Sequence, residues 1–265
     1  KFNMIDQVID DYEDATGITA YNGVAGHTAH TIPTIGSPGH STSVKKIGTH
    51  SITFPAEGDS ISIASHSDWD LGTNDFTVEF WAYNILATNA NTDGAAILLG
   101  GTSHAAGAIA GFGYYTTGGL WLYLGSGSSW DIAQQQSMGA LPGASWVHYA
   151  VTRNGTTFRT FRDGIQQATF TSSGSIETGS GGGVQICDSW FAGATGLTGN
   201  MDEIRISNIS RYDAAFTPAT TPFTTDANTK LLIHGDGNFT DSSGLAAVPN
   251  TGSSSSVTAA GSAGA

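Results

Sequence analysis

Short bursts of alternating apolar and polar residues run along most of this chain. In DFTVEFWAYNI, from Asp75, Phe76, Val78 and Phe80 fall on one side and Thr77, Glu79 and Trp81 on the other. That period of two predicts a strand with one buried face. Further on, WVHYAVTRNGTTFRTFRDGIQ carries Asn154-Gly155 and Asp163-Gly164 between runs of strand-forming residues. Both dipeptides suit tight hairpin turns, so residues 146–171 are predicted to form a three-strand meander. SITF, SISI, AILLGG, AIAGFGYYT, GLWLYLGS, VQICDSW and NMDEIRISN read as further strands. Residues 86–95 and 125–145 read as loops. Residues 21–50 and 207–228 read as irregular, the latter interrupted by Pro218 and Pro222. About a dozen strands and no amphipathic helix predict an all-β fold, a two-sheet antiparallel β-sandwich or jelly roll.

Composition agrees. Only 12% of the 265 residues are charged and 36 are glycine, which suits short strands joined by tight turns and suits helices poorly. The formal net charge of −13, with nine Lys and Arg, excludes a surface built to neutralise phosphates, and so excludes nucleic acid as a partner. Binding to anionic lipid is disfavoured for the same reason, and no apolar run is long enough to insert into a membrane. Cys187 is the lone cysteine, so no disulfide framework exists; it is expected to be a buried thiol. The chain opens on Lys1 rather than Met, as a processed or excised piece would.

A near-repeat stands at the two ends. FTDSSGLA (239–246) echoes YEDATGIT (12–19), placing Asp14 and Asp241 227 residues apart. Aspartates precede both: Asp10 and Asp11 in one, Asp236 in the other. The second occurrence reads as the start of another copy that fades into a flexible Ser/Gly/Ala tail. The chain therefore divides into a sandwich over 1–225 and a C-terminal strand with its tail over 226–265. The strand TKLLIHGDG either pairs within its own sandwich or adds to a sheet edge of a neighbouring subunit.

Four stretches in order resemble one family: TNDFTVEFWAY (73–83), WVHYAVTRNGTTFRTFRDGIQ (146–166), GNMDEIRISNISRYDAAFTPATTPFT (199–224) and TKLLIHGDGNFTDSSG (229–244). It is the laminin-G-like jelly roll of the concanavalin A-like lectin/glucanase superfamily, in the form carried by phage tail fibres and other virion proteins. The opening motif at 4–17 departs from the pattern, with Ile9-Asp10-Asp11 where His-Phe-Asp-Gly is usual. The resemblance implies a concanavalin A-like sandwich. It does not fix a function, because the fold serves lectins, adhesion modules, enzymes and spacers alike.

Catalysis has little support. Glycosidases of this fold need paired carboxylates, in one branch as Glu-x-Asp-x-x-Glu, and none of Glu79, Glu177 or Glu203 stands in such a pattern. Glu79 is expected to face solvent or a cross-strand partner. No Gly-x-Ser-x-Gly elbow is present. Sugar binding wants an aromatic face among amides and carboxylates. Trp69, Trp121, Trp130 and Trp190 are candidates, while Trp81 and Trp146 read as core. The best set is Trp130 with Asp131 and Gln134 in a polar loop, joined by Trp190. Trp121 shares a face with Tyr123 and lines either a concave sheet or the core. The resemblance also implies calcium, with Asp10, Asp14 and Asp202 as ligands; adjacent Asp202 and Glu203 are expected on opposite faces of their strand. The eight histidines show no zinc spacing; His27, His30 and His40 in one Gly/Thr loop come nearest.

The resulting expectation is a non-enzymatic, homo-oligomeric adhesion module on a virion or extracellular surface. It would be a fibre or capsid-decoration protein that binds host surface glycans or neighbouring virion subunits. The alternative is a carbohydrate-binding or adhesion domain of a secreted or cell-surface microbial protein.

Overall fold

Wherever the sequence alternates, the chain forms strands. The computed structural model describes residues 28–86, 94–100, 109–116, 119–178, 182–189 and 196–244. Its strands are β1 (Thr34–Ile35), β2 (Gly39–Ser41), β3 (Ser51–Phe54), β4 (Ser60–Ile63), β5 (Phe76–Leu86), β6 (Gly94–Gly100), β7 (Ile109–Thr116), β8 (Gly119–Leu124), β9 (Ala133–Gly139), β10 (Trp146–Asn154), β11 (Thr157–Arg162), β12 (Ile165–Thr171), β13 (Gly183–Ser189), β14 (Thr198–Ser207) and β15 (Thr229–Ile233). The helical content of the described residues is one 3-10 turn, Ser67–Trp69. Two antiparallel sheets result. One has the order β1-β4-β13-β6-β7-β8-β9; the other runs β12-β11-β10-β5-β14-β3-β2, with β15 also paired to β14. The sandwich expected from the sequence is present. One predicted loop is not: β9 lies inside 125–145, where the alternation is too weak to read as a strand.

The core lies between the sheets. Phe76, Val78 and Phe80 of β5 face Phe112 of β7 and Leu120, Leu122 and Leu124 of β8, all fully buried. Phe76 and Phe112 meet edge to face across the gap, centroids 5.9 Å apart. Each such side chain contributes roughly 1.5–3 kcal/mol of burial free energy. Trp69, a sequence candidate for sugar stacking, belongs to this core, and its indole N–H donates to the Ala64 carbonyl at 3.0 Å. Cys187 is buried here as a free thiol, as expected.

The meander forms as its turns dictate. Arg162 pairs with Ile165 across Asp163 and Gly164, whose φ of +51° and +75° are those of a type I′ turn. Gly164 also lies against the segment that follows β14: a Cβ there would stand 1.8 Å from the Phe216 carbonyl oxygen.

That segment decides what the outer face of the eight-stranded sheet does. Thr77 donates to the Ile209 carbonyl at 2.8 Å, Thr152 to the Tyr212 carbonyl at 2.9 Å, and the Arg211 N–H to Thr77 Oγ1 at 2.9 Å. Trp81 is buried on this outer face, not between the sheets, with Ile47, Phe223 and Leu232; Trp146 is only partly buried beside them. Glu79 is fully buried there as well, so it does not face solvent. Its carboxylate accepts from Arg205 Nε at 2.8 Å and Tyr212 Oη at 2.8 Å, and His148 Nε2 lies at 3.1 Å. Arg205 Nη2 closes an ion pair at 2.6 Å. Burial pushes the Glu79 carboxyl up, but the His148 hydrogen bond and the Arg205 charge outweigh it and hold it below its ordinary value.

The boundary expected at 225 falls inside the sandwich. β15 pairs with the second half of β14 (Ile204↔Ile233, Ile206↔Leu231), and β3 pairs with the first half. Asp241 then ties the motif down: Oδ1 accepts from the N–H groups of Leu232 (3.1 Å) and Ser243 (2.8 Å), and Oδ2 from the N–H of His30 (2.7 Å). The C-terminal motif thus closes this sandwich.

Two outcomes follow for stability. Gly164→Ala meets both a left-handed φ and the Phe216 carbonyl, whereas Gly155, φ +57°, has open space around it. The first substitution should cost clearly more than the roughly 1–2 kcal/mol of left-handed strain alone, and the second about that strain, compared by urea midpoints. Glu79→Ala leaves Arg205 buried without its counter-charge and should cost about 3–5 kcal/mol in the same assay.

Candidate binding face

The opposite sheet keeps its outer face for other uses. In β8 the alternation that buries Leu120, Leu122 and Leu124 turns Trp121 and Tyr123 outward. Tyr114 of β7 sits directly across from Trp121 in register, and the buried Leu98 and Ala95 of β6 pack against the same cluster. Trp130, from the loop before β9, stands edge-on to Tyr123 at 5.5 Å; Tyr114 meets Tyr123 at 4.9 Å. Tyr114, Trp121 and Trp130 are only partly buried. Trp121 therefore lines a sheet surface, not the core. The stripe has polar neighbours: Gln185 pairs in register with Leu98 and Asp188 with Ala95. Burial raises the Tyr123 phenol above its ordinary value, countered by a hydrogen bond with Gln135. Chemically this is an aromatic platform with amides and carboxylates at its side, which can stack the apolar face of a sugar ring and bond its hydroxyls.

The residues singled out from the sequence separate here. Trp130 joins the platform. Asp131 is engaged within its loop: it accepts the Ser126 N–H at 2.8 Å and the Ser126 hydroxyl at 2.6 Å. The Ser126 bonds hold its carboxyl below the usual range, and Asp131 acts by fixing the loop that presents Trp130. Gln134 is exposed on β9. Trp190 lies outside the described residues. Tyr114 was not singled out from the sequence, because its pairing with Trp121 depends on register across a bulge.

Of the expected calcium ligands, Asp10 and Asp14 lie outside the described residues. Asp202 is buried; its Oδ2 accepts the N–H groups of Lys46 (2.9 Å) and Ile47 (3.1 Å), while buried Oδ1 has no partner. Burial, with the charges of Glu203 and Asp236 nearby, raises its carboxyl to about 7 despite those bonds. Glu203 is not on the opposite face. A bulge between Asp202 and Arg205, with Glu203 at φ +50°, turns it to the same outer cover. There it accepts the Phe223 N–H at 2.7 Å and meets His234 Nδ1 at 2.7 Å. The aspartate of an opening motif that stands near Asp202 is Asp236, after β15, and its carboxylate is bonded to the Thr49 N–H, the Thr49 hydroxyl and the His50 N–H.

Two facing antiparallel sheets, one sealed outside and one presenting an aromatic face, define a lectin-type sandwich. The chain belongs to the concanavalin A-like lectin/glucanases superfamily, whose model matches residues 55–215. No curated protein sequence matches the chain. Among solved structures, it is similar to domain 4 of an extracellular arabinanase from Geobacillus stearothermophilus, in complex with arabinotriose. That likeness has a TM-score of 0.52 and 15% identity, over 68% of this chain and 82% of that one. It is also similar to the enzymatically active domain of tailspike protein 2 from bacteriophage CBA120, with a TM-score of 0.54 and 12% identity. This match covers 80% of the chain but only 34% of the tailspike structure. At these identities the likenesses establish the fold alone.

Asp202 generates a pH prediction. Its folded value, about 7, lies above the ordinary unfolded value of about 3.9. The folded state therefore holds a proton the unfolded chain releases. That contribution to stability is full below about pH 4 and is lost as pH rises to about 7, with an upper bound of roughly 4 kcal/mol. Asp202→Asn should flatten this fall, so the wild-type minus variant difference in urea midpoint should turn against the wild type between pH 4 and 8.

Proposed function

We propose that this chain is a non-enzymatic adhesion module that holds a surface glycan on the outer face of the seven-stranded sheet. The observation that carries the reading is the set Tyr114, Trp121 and Trp130, turned away from the main core and left partly accessible around buried Tyr123. These three rings add nothing to the core between the sheets. Gln135, Gln185 and Asp188 supply hydrogen-bonding groups beside it, and Gln134 and Trp190, expected from the sequence, are included as proposed sugar contacts. The arabinanase domain with its arabinotriose supports the reading only as a case of a shared fold.

Two of the glutamates a glycosidase would need, Glu79 and Glu203, are spent in buried bonds beneath the cover of the other sheet. That supports binding over hydrolysis. Placement on a virion fibre or capsid decoration, in a homo-oligomer, rests on the resemblance of RYDAAFTPATTPFT to phage copies. Physically that stretch seals the eight-stranded sheet, through Tyr212 on Glu79 and Arg211 on Asp226 at 2.9 and 3.0 Å. A secreted microbial adhesion domain has the same need, and it stands as the second reading. Calcium belongs to the proposal at Asp202 and is supported by the unpartnered buried Oδ1.

The test is a glycan-panel assay on the whole chain, in calcium and in chelator, with Trp121→Ala and Trp130→Ala alongside. Binding by the wild type, weakened about tenfold or more in each variant with an unchanged melting temperature, is the expected result. Binding that survives both substitutions removes the platform from the reading; no binding at all leaves a structural virion subunit. Loss in chelator, with calcium restoring both binding and stability in the wild type but not in Asp202→Asn, is the outcome the calcium reading requires.

A further inference from the structure

Three polar side chains, two of them neighbours in one turn and the third far away in sequence, converge at the edge of the sandwich, and none belongs to the aromatic face. His30 precedes β1, and His66 and Asp68 flank and enter the 3-10 turn. His30 Nε2 lies 3.1 Å and His66 Nδ1 3.0 Å from the same oxygen, Asp68 Oδ2. All three ligand atoms lie within 4.8 Å of one another. The core holds the arrangement in place. Trp69, buried in the same turn, packs against the tilted His30 ring with centroids 4.6 Å apart, and Asp241 fixes the backbone of His30.

His66 Nδ1 also lies 3.2 Å from the Asp68 backbone N–H as the cap of the 3-10 turn, and 3.0 Å from Asp68 Oδ2. An imidazole nitrogen holds either a proton or a single lone pair, so a metal ion at Nδ1 would take the place of these contacts within the turn. Two of the three edges, 3.1 and 3.0 Å, come close to the separation of about 3.3 Å that a tetrahedral centre with bonds of 2.0–2.1 Å imposes on its ligand atoms. Two imidazole nitrogens and one carboxylate oxygen suit zinc and its neighbours, whereas calcium asks for six to eight oxygens. Lys230 Nζ stands 3.9 Å from the other oxygen, Asp68 Oδ1. It can orient the carboxylate from outside the coordination shell while lowering its affinity somewhat. His66 is half exposed, and a cavity of about 510 Å³ lined by Asp68, Asp70, Asp75 and Lys230 adjoins the turn, leaving room for water as a fourth ligand.

We propose that His30, His66 and Asp68 form a binding site for one divalent transition-metal ion of the zinc class. The sequence hides it, because His30 is 36 residues from His66 and no ligand pair shows a zinc-finger spacing. The test uses the full chain without a histidine tag, stripped with chelator. It is titrated with zinc by calorimetry and with cobalt by visible absorption, with calcium as the control ion. One equivalent of zinc should bind, and cobalt should give the intense bands of a four-coordinate site. His66→Ala, at an exposed position, should weaken zinc at least about tenfold, as should Asp68→Asn. His40→Ala should leave it unchanged. Melting curves of the metal-free variants confirm that they are folded. No saturable zinc binding, or binding equal in wild type, His66→Ala and Asp68→Asn, overturns the proposal.

Discussion

A buried carboxylate organises the outer half of this molecule. Glu79 sits in the middle of β5 with no contact to water, and its charge is held by Arg205 from β14, His148 from β10 and Tyr212 from the segment beyond β14. Because a buried charge is tolerated only with its partners in place, these four elements must close together. The closure brings Phe223 over Arg205 at 4.2 Å and seals Trp81 beneath the same cover. The centre of the eight-stranded sheet, in β5, β10 and β14, is thereby buried on both faces, which makes it a scaffold.

The consequence for function is asymmetry. With one sheet committed, partly accessible aromatic side chains gather on the outer face of the other, where β8 turns Trp121 and Tyr123 outward and the Ser126–Asp131 bonds hold the loop that brings Trp130 beside them. The closing motif after β15 has a comparable structural task. Its Asp241 binds the strand, the following turn and the backbone of His30 at once, which also sets the position of one histidine of the edge cluster.

Much of this was legible in the chain. The alternation of β5 and the glycine turns at 155 and 164 gave the meander its strands and their faces, since a strand's period and a turn's φ are local properties. Trp130 was legible as a candidate because a large ring in a polar loop has no core to fill. The fate of Glu79 was not, because its position on the outward face reads as exposed until a distant segment folds over it. Nor was the turning of Glu203, which depends on a bulge between strands far apart in sequence. Trp69 looked like a surface ring for the opposite reason: its polar flanks conceal a turn that points it inward.

The sequence by itself determined the two-sheet sandwich, its hairpins and the inward face of each patterned strand, because these follow from periodicity and turn chemistry within a few residues. Only the tertiary structure decided which sheet is sealed, which aromatic rings share a surface, and that His30, His66 and Asp68 meet. Those outcomes depend on contacts between segments separated by tens to hundreds of residues. No local pattern encodes such separations, so the chain must close before its chemistry is set.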